Sequence, residues 1–213
     1  MSKDQGSSEL LLLSGGLDST ALAAICRPAA ALFIDYGQRP AVAERRAASA
    51  VGRLLGVPIQ DVTVDLRPVG AGLLLGEDEV PNAPSAEWWP YRNQMLVSIA
   101  AAIALRRGLT NVVVGTVSGD GERHADGTPA FYEALNAMLQ IQEGHITVST
   151  PAISETTEQL VLRSGLGEEV LGWTVSCHRS VLPCGDCPGC WKRARVLANL
   201  GLLQPTPEAR SSS

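Results

Sequence analysis

Apolar and polar residues alternate along the chain in blocks that predict strands and helices in turn. Residues 10–13 and 30–34 are uninterrupted apolar runs, which are typical of strands buried on both faces of a parallel sheet. Residues 18–26 have a helix-compatible composition, and at 41–55 apolar residues recur at helical spacing. Strands are predicted at 9–13, 30–35, 59–64, 111–117 and 146–149, and helices at 18–26, 41–55, 92–107, 129–141 and 155–164.

This alternation predicts an α/β fold. Five strands that alternate with helices indicate an open, doubly wound, five-stranded parallel sheet with right-handed crossovers. In such sheets, ligands bind beyond the carboxyl ends of the strands, where the strand order reverses. The segment 67–87 is rich in Gly, Pro and acidic residues and has no clear periodicity, so we predict a lid or a disordered loop there.

The composition favours a folded protein that acts on small molecules. The 213 residues are 45% hydrophobic, which is enough for a core. The longest apolar stretch, 95–105, is about half the length that crosses a bilayer, and the N-terminus carries no secretory pattern, so we expect a cytoplasmic protein without membrane contact. A formal net charge of −5 argues against nucleic acid as a partner, because neutralising backbone phosphates takes clustered Lys and Arg.

Lysine is rare in this chain. Lys3 and Lys192 are the only two, and neither stands in a Gly-rich loop. A Walker-type loop needs Gly-Lys-Ser/Thr, so a nucleotide must bind here by another arrangement.

Residues 14–20, Ser-Gly-Gly-Leu-Asp-Ser-Thr, stand where the first strand turns into the first helix. The glycines permit close backbone approach, the hydroxyls donate hydrogen bonds, and a helix N-terminus attracts anions. The segment therefore predicts a pyrophosphate cradle without a lysine, although an ordinary turn has the same composition. Asp18 is a poor neighbour for phosphate, so it either caps the helix or holds a bridging Mg²⁺.

Four of the five cysteines lie within fourteen residues near the end of the chain. The spacing Cys177-x6-Cys184-x2-Cys187-x2-Cys190 closes a tetrahedral thiolate site and leaves no open position, which favours a structural Zn²⁺. Four reduced cysteines without metal, or a redox pair, are the weaker alternatives. Cys26 stands apart in an apolar helix pattern and is predicted to fill core space.

Several motifs of the chain resemble those of a known family. The loop 14–20 resembles the SGGxDS loop of the N-type ATP pyrophosphatases of the PP-loop superfamily. Residues 33–39 (Phe-Ile-Asp-Tyr-Gly-Gln-Arg), residues 90–93 (Pro-Tyr-Arg-Asn) and the cysteine cluster together resemble QueC, the 7-cyano-7-deazaguanine synthase family.

The resemblance implies a PP-loop ATP pyrophosphatase domain at 9–170, with an adenine nucleotide alpha hydrolase-like fold. A small helical zinc-binding segment at 171–203 and a flexible tail at 204–213 follow. Enzymes of this family use ATP and Mg²⁺ to adenylate a 7-deazaguanine carboxylate, which ammonia converts to an amide, and a second activation gives the nitrile. The small molecules are the partners, and the resemblance also suggests a homodimer.

Site residues follow from the matched motifs and from the loop after the fourth strand. The predicted catalytic residues are Ser14, Asp18, Ser19 and Arg92. The predicted nucleotide-binding residues are Leu13, Ser14, Gly15, Gly16, Asp18, Ser19, Thr20, Phe33, Asp35 and Tyr36. The predicted substrate-binding residues are Gln38, Arg39, Arg92, Asn93, Asp120, Glu122 and Asp126. A plain polar surface loop is the competing interpretation for the last three.

The chain also departs from the family pattern, mostly on the acceptor side. Tyr91 replaces a glycine, Pro40 replaces a histidine, and the loop that retains Asp126 lacks the family's cysteine and arginine. After Thr150-Pro151 the family has a lysine about six residues on, where Thr156 and Thr157 stand here.

The missing lysine should lower the rate of the reaction, because a cation near the α-phosphate stabilises the transition state of phosphoryl transfer. Arg163, Arg123 or Lys192 must reach the site to replace it. Three functions therefore remain open: a nitrile-forming enzyme with an altered pocket, a related ligase that makes an amide or joins another amine in antiviral or secondary metabolism, and a nucleotide-binding module without turnover.

Overall fold

The computed structural model describes residues 7–78 and 80–202, and it confirms the predicted α/β fold. The strands are β1 (Glu9–Leu12), β2 (Ala30–Asp35), β3 (Ile59–Thr63), β4 (Asn111–Val113) and β5 (Thr147–Ser149). They form one sheet in the order β3-β2-β1-β4-β5, and every neighbouring pair is parallel. The strand order therefore reverses between β1 and β4.

Helices connect the strands, and all five that the sequence predicts are present. The α-helices are α1 (Leu17–Cys26), α2 (Ala41–Leu55), α3 (Gly72–Leu75), α4 (Arg92–Arg106), α5 (Asp120–Arg123), α6 (Pro129–Gln140), α7 (Thr157–Ser164), α8 (Glu168–Leu171) and α9 (Pro188–Asn199). Short 3₁₀ turns occupy Arg67–Val69 and Ala125–Gly127.

The sheet separates two hydrophobic clusters. Leu11 of β1 packs with residues of α1, α2 and α7 on one face, whereas Leu10 packs with residues of α4 and α6 on the other. Both leucines are fully buried, because side chains of successive strand residues point to opposite faces. This double burial explains the continuous apolar runs from which the strands were predicted.

Two element boundaries differ from the prediction by more than one residue, for local reasons. β4 ends at Val113 instead of residue 117, and Gly115 then passes so close to α1 that a Cβ there would lie 3.2 Å from the Ser19 nitrogen. α7 begins at Thr157 instead of residue 155. Thr156 is its N-cap, and its hydroxyl and backbone N–H pair reciprocally with Gln159 in a capping box.

The described part of the segment 67–87 is structured, which corrects the prediction of a disordered loop; the alternative of a lid stays a prediction. It contains one 3₁₀ turn and α3, and Leu74 is buried in the core. The Trp89 ring that follows packs edge-on against Tyr36, with ring centroids 5.0 Å apart. Buried apolar side chains therefore anchor the segment at two points, which its Gly- and Pro-rich composition does not indicate.

The C-terminal helices pack into the main core. Leu171, Val196 and Leu197 are buried in the same cluster as Leu11. The half-buried Cys26 packs against this cluster as predicted. The predicted tail 204–213 lies outside the described residues. None of the described helices has both the length and the apolar character needed to cross a membrane.

The turn after β1 yields a stability prediction. Gly15 has a φ of +79°, and a Cβ there would lie 2.5 Å from Ala47 Cβ and 2.8 Å from the Ala48 nitrogen. Gly56 has a similar φ of +68° and open space around it. We expect Gly56→Ala to lower the free energy of unfolding by about 1 kcal/mol, and Gly15→Ala to lower it by about 2–4 kcal/mol, since steric overlap adds to the same backbone cost.

Urea denaturation of both variants measures the two effects separately. Equal losses of stability would show that α2 does not confine the turn.

Candidate functional site

A cavity of about 360 Å³ opens where the strand order reverses. Its walls come from the loops after β1 and β4, the starts of α1 and α4, and the chain around α9. This is the position at which ligands bind in open α/β sheets.

The first wall is the loop after β1 and the start of α1. Gly16 is the N-cap, and no side chain caps the helix, so the backbone N–H groups of its first turn are available to an anion. The hydroxyl oxygens of Ser14 and Ser19 lie 3.3 Å apart, and Ser19 also donates to the Gly16 carbonyl at 3.3 Å. Hydroxyls and backbone donors thus converge on one edge of the cavity.

Asp18 pairs with the C-terminal segment. Its Oδ2 lies 3.1 Å from Lys192 Nζ, and its Oδ1 is buried without a hydrogen-bond partner. Burial raises the pKa of the Asp18 carboxyl, and Lys192 offsets this only in part. Asp18 does not cap α1, and a carboxylate beside a phosphate-binding loop is a ligand of the kind that a hard divalent cation such as Mg²⁺ takes.

The second wall is built around Arg92, the first residue of α4. Its guanidinium lies near the Tyr36 hydroxyl and the Glu44 carboxylate. The preceding residue, Tyr91, is the N-cap and has a φ of +55°. Residues other than glycine rarely adopt this backbone conformation. A glycine at this position, as in the family pattern that the chain resembles, would adopt it more easily.

Glu44 and Gln38 form a buried polar pair inside this wall. Gln38 Nε2 donates to Glu44 Oε2 at 2.7 Å, and Gln38 Oε1 accepts from the Tyr36 backbone N–H at 2.8 Å. Burial raises the pKa of the Glu44 carboxyl to about 7, against the opposing effects of Gln38 and Arg92. The wall therefore offers a carboxyl group that gains or loses a proton near neutral pH.

The third wall is the loop after β4 together with the end of the 67–87 segment. Arg123 and Glu87 form a salt bridge. Burial disfavours the charged Glu87, yet the hydrogen bond from His124 and the charge of Arg123 lower the pKa of Glu87 to about 2. Asp126 holds α4 in place, because Asn93 Nδ2 donates to its carbonyl at 3.0 Å.

The four C-terminal cysteines converge as the sequence predicts. Their sulfur atoms all lie within 4.8 Å of one another, and the Cys184 and Cys190 sulfurs are 3.9 Å apart. A tetrahedral site with Zn–S bonds of about 2.3 Å has sulfurs about 3.8 Å apart. Backbone N–H groups also point at the sulfurs, including that of Cys190 at Cys187 and that of Arg179 at Cys177. The cluster therefore fits a zinc ion.

The cysteine segment is joined to the loop after β1. The Val175 backbone N–H donates to the Gly15 carbonyl at 2.9 Å. Cys187 is the N-cap of α9, and Arg193 of that helix donates to Thr174 at 2.9 Å. The cysteine cluster thus lies at the start of the helix that closes one side of the cavity.

Most predicted site residues meet at this cavity. Those that line it are Leu13, Ser14, Gly16, Asp18, Ser19, Phe33, Tyr36, Gln38, Arg92, Asn93 and Asp120. Six others do not line it: Gly15, Thr20, Asp35, Arg39, Glu122 and Asp126.

The six residues outside the lining have identifiable surroundings. Asp35 is bound to Arg45 at 3.0 Å, and Arg39 and Glu122 are exposed to solvent. Gly15 and Thr20 shape the loop from behind, since Thr20 is fully buried. Roles for all predicted residues remain predictions.

Sequence reasoning missed several residues of the lining. They include Glu44, Glu87, Thr116, Tyr132, Ser176 and His178. Glu44 is followed by two arginines in α2, a pattern typical of a solvated helix face. Its spacing from the buried Ala41, Ala47 and Ala48 is the signal that it faces inward.

An open parallel sheet with an uncapped helix start and a glycine turn at its reversal point is consistent with the PP-loop class of α/β proteins. The chain matches the family model of the queuosine biosynthesis protein QueC over residues 8–201. The chain belongs to this family.

Relatives are similar along almost their whole length. A 7-cyano-7-deazaguanine synthase of Paramagnetospirillum magneticum is 33% identical over 94% of this chain and 98% of the relative. Synthases of the same name from Koribacter versatilis and Methanocaldococcus jannaschii are 31% and 29% identical. They cover 94% and 92% of this chain, and 92% and 97% of the relatives themselves.

The cysteine cluster yields a prediction on metal content. We expect elemental analysis of the purified protein to find about one zinc per chain, because four thiolates complete a tetrahedral site. Cys187→Ser should reduce bound zinc and lower the melting temperature, since the residue is a predicted ligand and also the N-cap of α9. Cys26→Ser is the matched control and should retain the metal. Folded wild-type protein that is free of zinc would contradict the assignment.

Glu44 yields a prediction on pH. A carboxyl whose pKa is raised on folding binds more protons in the native state, so its stabilising contribution is lost as pH rises from about 4.5 to about 7. Relative to wild type, Glu44→Gln should therefore gain unfolding free energy across this window, by up to about 3 kcal/mol. Chemical denaturation at several pH values measures the difference. A constant difference would contradict the raised pKa.

Proposed function

We propose that the protein is an ATP-dependent ligase that adenylates a 7-deazaguanine carboxylate and combines it with ammonia to give 7-cyano-7-deazaguanine. AMP and pyrophosphate are the by-products. The observation that carries the proposal is the uncapped start of α1, with Ser14 and Ser19, at the reversal point of a sheet in a chain of the QueC family.

Nucleotide binding follows from this first wall. The N–H groups of α1 and the two hydroxyls hold the β- and γ-phosphates, and they stabilise charge as pyrophosphate leaves the α-phosphorus. The ends of β1 and β2, from Leu13 to Tyr36, receive the adenine. Asp18 holds Mg²⁺, which when bound neutralises phosphate charge.

The acceptor binds at the second wall. Arg92 orients the carboxylate, whose oxygen attacks the α-phosphorus while pyrophosphate departs. Ammonia then attacks the acyl carbon. The bond between that carbon and the oxygen of AMP breaks, so AMP leaves and the amide forms. In the second round the amide oxygen takes the adenylyl group, the nitrogen loses its protons, and AMP departs to give the nitrile. Each activation is needed because an unmodified carboxyl or amide oxygen is a poor leaving group.

Zinc has a structural part in this proposal. Cys177, Cys184, Cys187 and Cys190 hold the ion, and a full set of thiolates leaves no position for substrate. The ion fixes the start of α9 against the cavity.

A second candidate is a ligase that stops at the amide or joins the deazapurine to another amine. It is favoured by the acceptor side, where Thr157 stands in place of the expected lysine and Arg123 is engaged with Glu87. Mass spectrometry of the product distinguishes nitrile, amide and conjugate. A nucleotide-binding module without turnover would release neither AMP nor pyrophosphate.

The test is pyrophosphate and AMP release from ATP in the presence of 7-carboxy-7-deazaguanine and ammonia. We expect Asp18→Asn and Ser19→Ala each to lower kcat by about 10- to 1,000-fold, the range found when a donor to developing charge is removed. The exposed residues Asp78 and Ser154 provide the controls Asp78→Asn and Ser154→Ala, which should keep wild-type rates. Unchanged turnover in both site variants would refute the assignment.

A further inference from the structure

Lys192 reaches from α9 across the cavity to the first helix. Its Nζ lies 3.1 Å from Asp18 Oδ2 and 3.9 Å from Asp120 Oδ1. The side chain is 35% exposed, and it lines the same cavity as Ser14 and Ser19. An ammonium group has three donors. One bonds to Asp18 and the contact with Asp120 is a longer ion pair, so at least one donor is free to point at a ligand.

The other cations that line the cavity are engaged elsewhere. Arg193 donates to Thr174 and to the Leu171 carbonyl, and Arg123 pairs with Glu87. Arg92 lies beside the Tyr36 hydroxyl and the Glu44 carboxylate in the second wall. Within the described part of the chain, Lys192 is the only cation with a hydrogen bond to residues 14–20.

Thr157 occupies the other side of Asp18. It is buried at the start of α7, and its hydroxyl faces the Asp18 carboxyl. Asp18 thus stands between a neutral side chain from α7 and a charged one from α9. A phosphate bound at the start of α1 would therefore find the nearest positive charge on the α9 side, at Lys192.

We propose that Lys192 is the phosphate-binding cation of the site, supplied by the C-terminal segment to a loop that has no cation of its own. Asp18 and Asp120 hold the ammonium in the cavity, and its remaining donor binds a phosphate oxygen of the nucleotide. This inference rests on the proposed function, since it assumes that ATP lies on α1.

Calorimetry tests the proposal without turnover. The probes are a non-hydrolysable ATP analogue, inorganic pyrophosphate and adenosine. We expect Lys192→Met to weaken the binding of the analogue and of pyrophosphate by about 10- to 100-fold, the effect of one lost charge-assisted hydrogen bond. Adenosine affinity should be unchanged. Arg195→Met, at an exposed position of the same helix, is the matched control and should bind all three probes like wild type.

Two further variants separate charge from structure. Lys192→Arg keeps the charge and should retain affinity within a few-fold of wild type. Thr157→Lys in the Lys192→Met background returns an ammonium group to Asp18 from the opposite side and should recover much of the pyrophosphate affinity.

The outcomes are distinguishable. If wild type binds neither ATP analogue nor pyrophosphate, the proposed function itself is wrong. If wild type binds and Lys192→Met binds within twofold of it, only the role of Lys192 is overturned. A loss that neither Lys192→Arg nor Thr157→Lys recovers indicates a purely structural role and likewise overturns it.

Discussion

The reversal of strand order between β1 and β4 is the constraint on which the rest of the molecule depends. The helix after β1 packs on one face of the sheet, and the helix after β4 packs on the other, so the two connecting loops diverge and leave a cleft. Every wall of the cavity forms around that divergence. The loop after β1 approaches α2 closely enough that only glycine fits at residue 15. Close packing of the backbone at residue 15 therefore fixes the direction of the α1 N-terminus, independently of the polar side chains in the loop.

Local signals in the sequence predict most of the fold and half of the site. The strands are apolar on both faces, the helices are periodic, and the loop 14–20 carries its glycines and hydroxyls in one continuous segment. The cysteine cluster is equally local, because its ligands lie within fourteen residues. In each case neighbours in sequence determine the geometry, so pattern and spacing are sufficient.

The remaining half of the site depends on contacts between distant segments. Lys192 and Asp18 are 174 residues apart, and nothing in either local sequence indicates the pairing. Arg123 meets Glu87 across two loops, and Glu44 turns inward from a helix turn that otherwise carries arginines. The composition of the segment 67–87 suggests an unstructured loop, yet the buried Leu74 within it and the buried Trp89 just after it anchor the segment. Such pairings depend on tertiary packing, which composition and periodicity do not encode.

The joining of α9 to α1 has a consequence for biosynthesis. A ribosome makes the glycine-turn segment before the cysteine segment, so a nascent chain that has already formed its sheet still lacks one side of the cleft. Prematurely terminated products would carry the early half of the pocket with its Asp18 carboxylate unneutralised. The pocket is therefore complete only after α9 has been made and has packed beside α1.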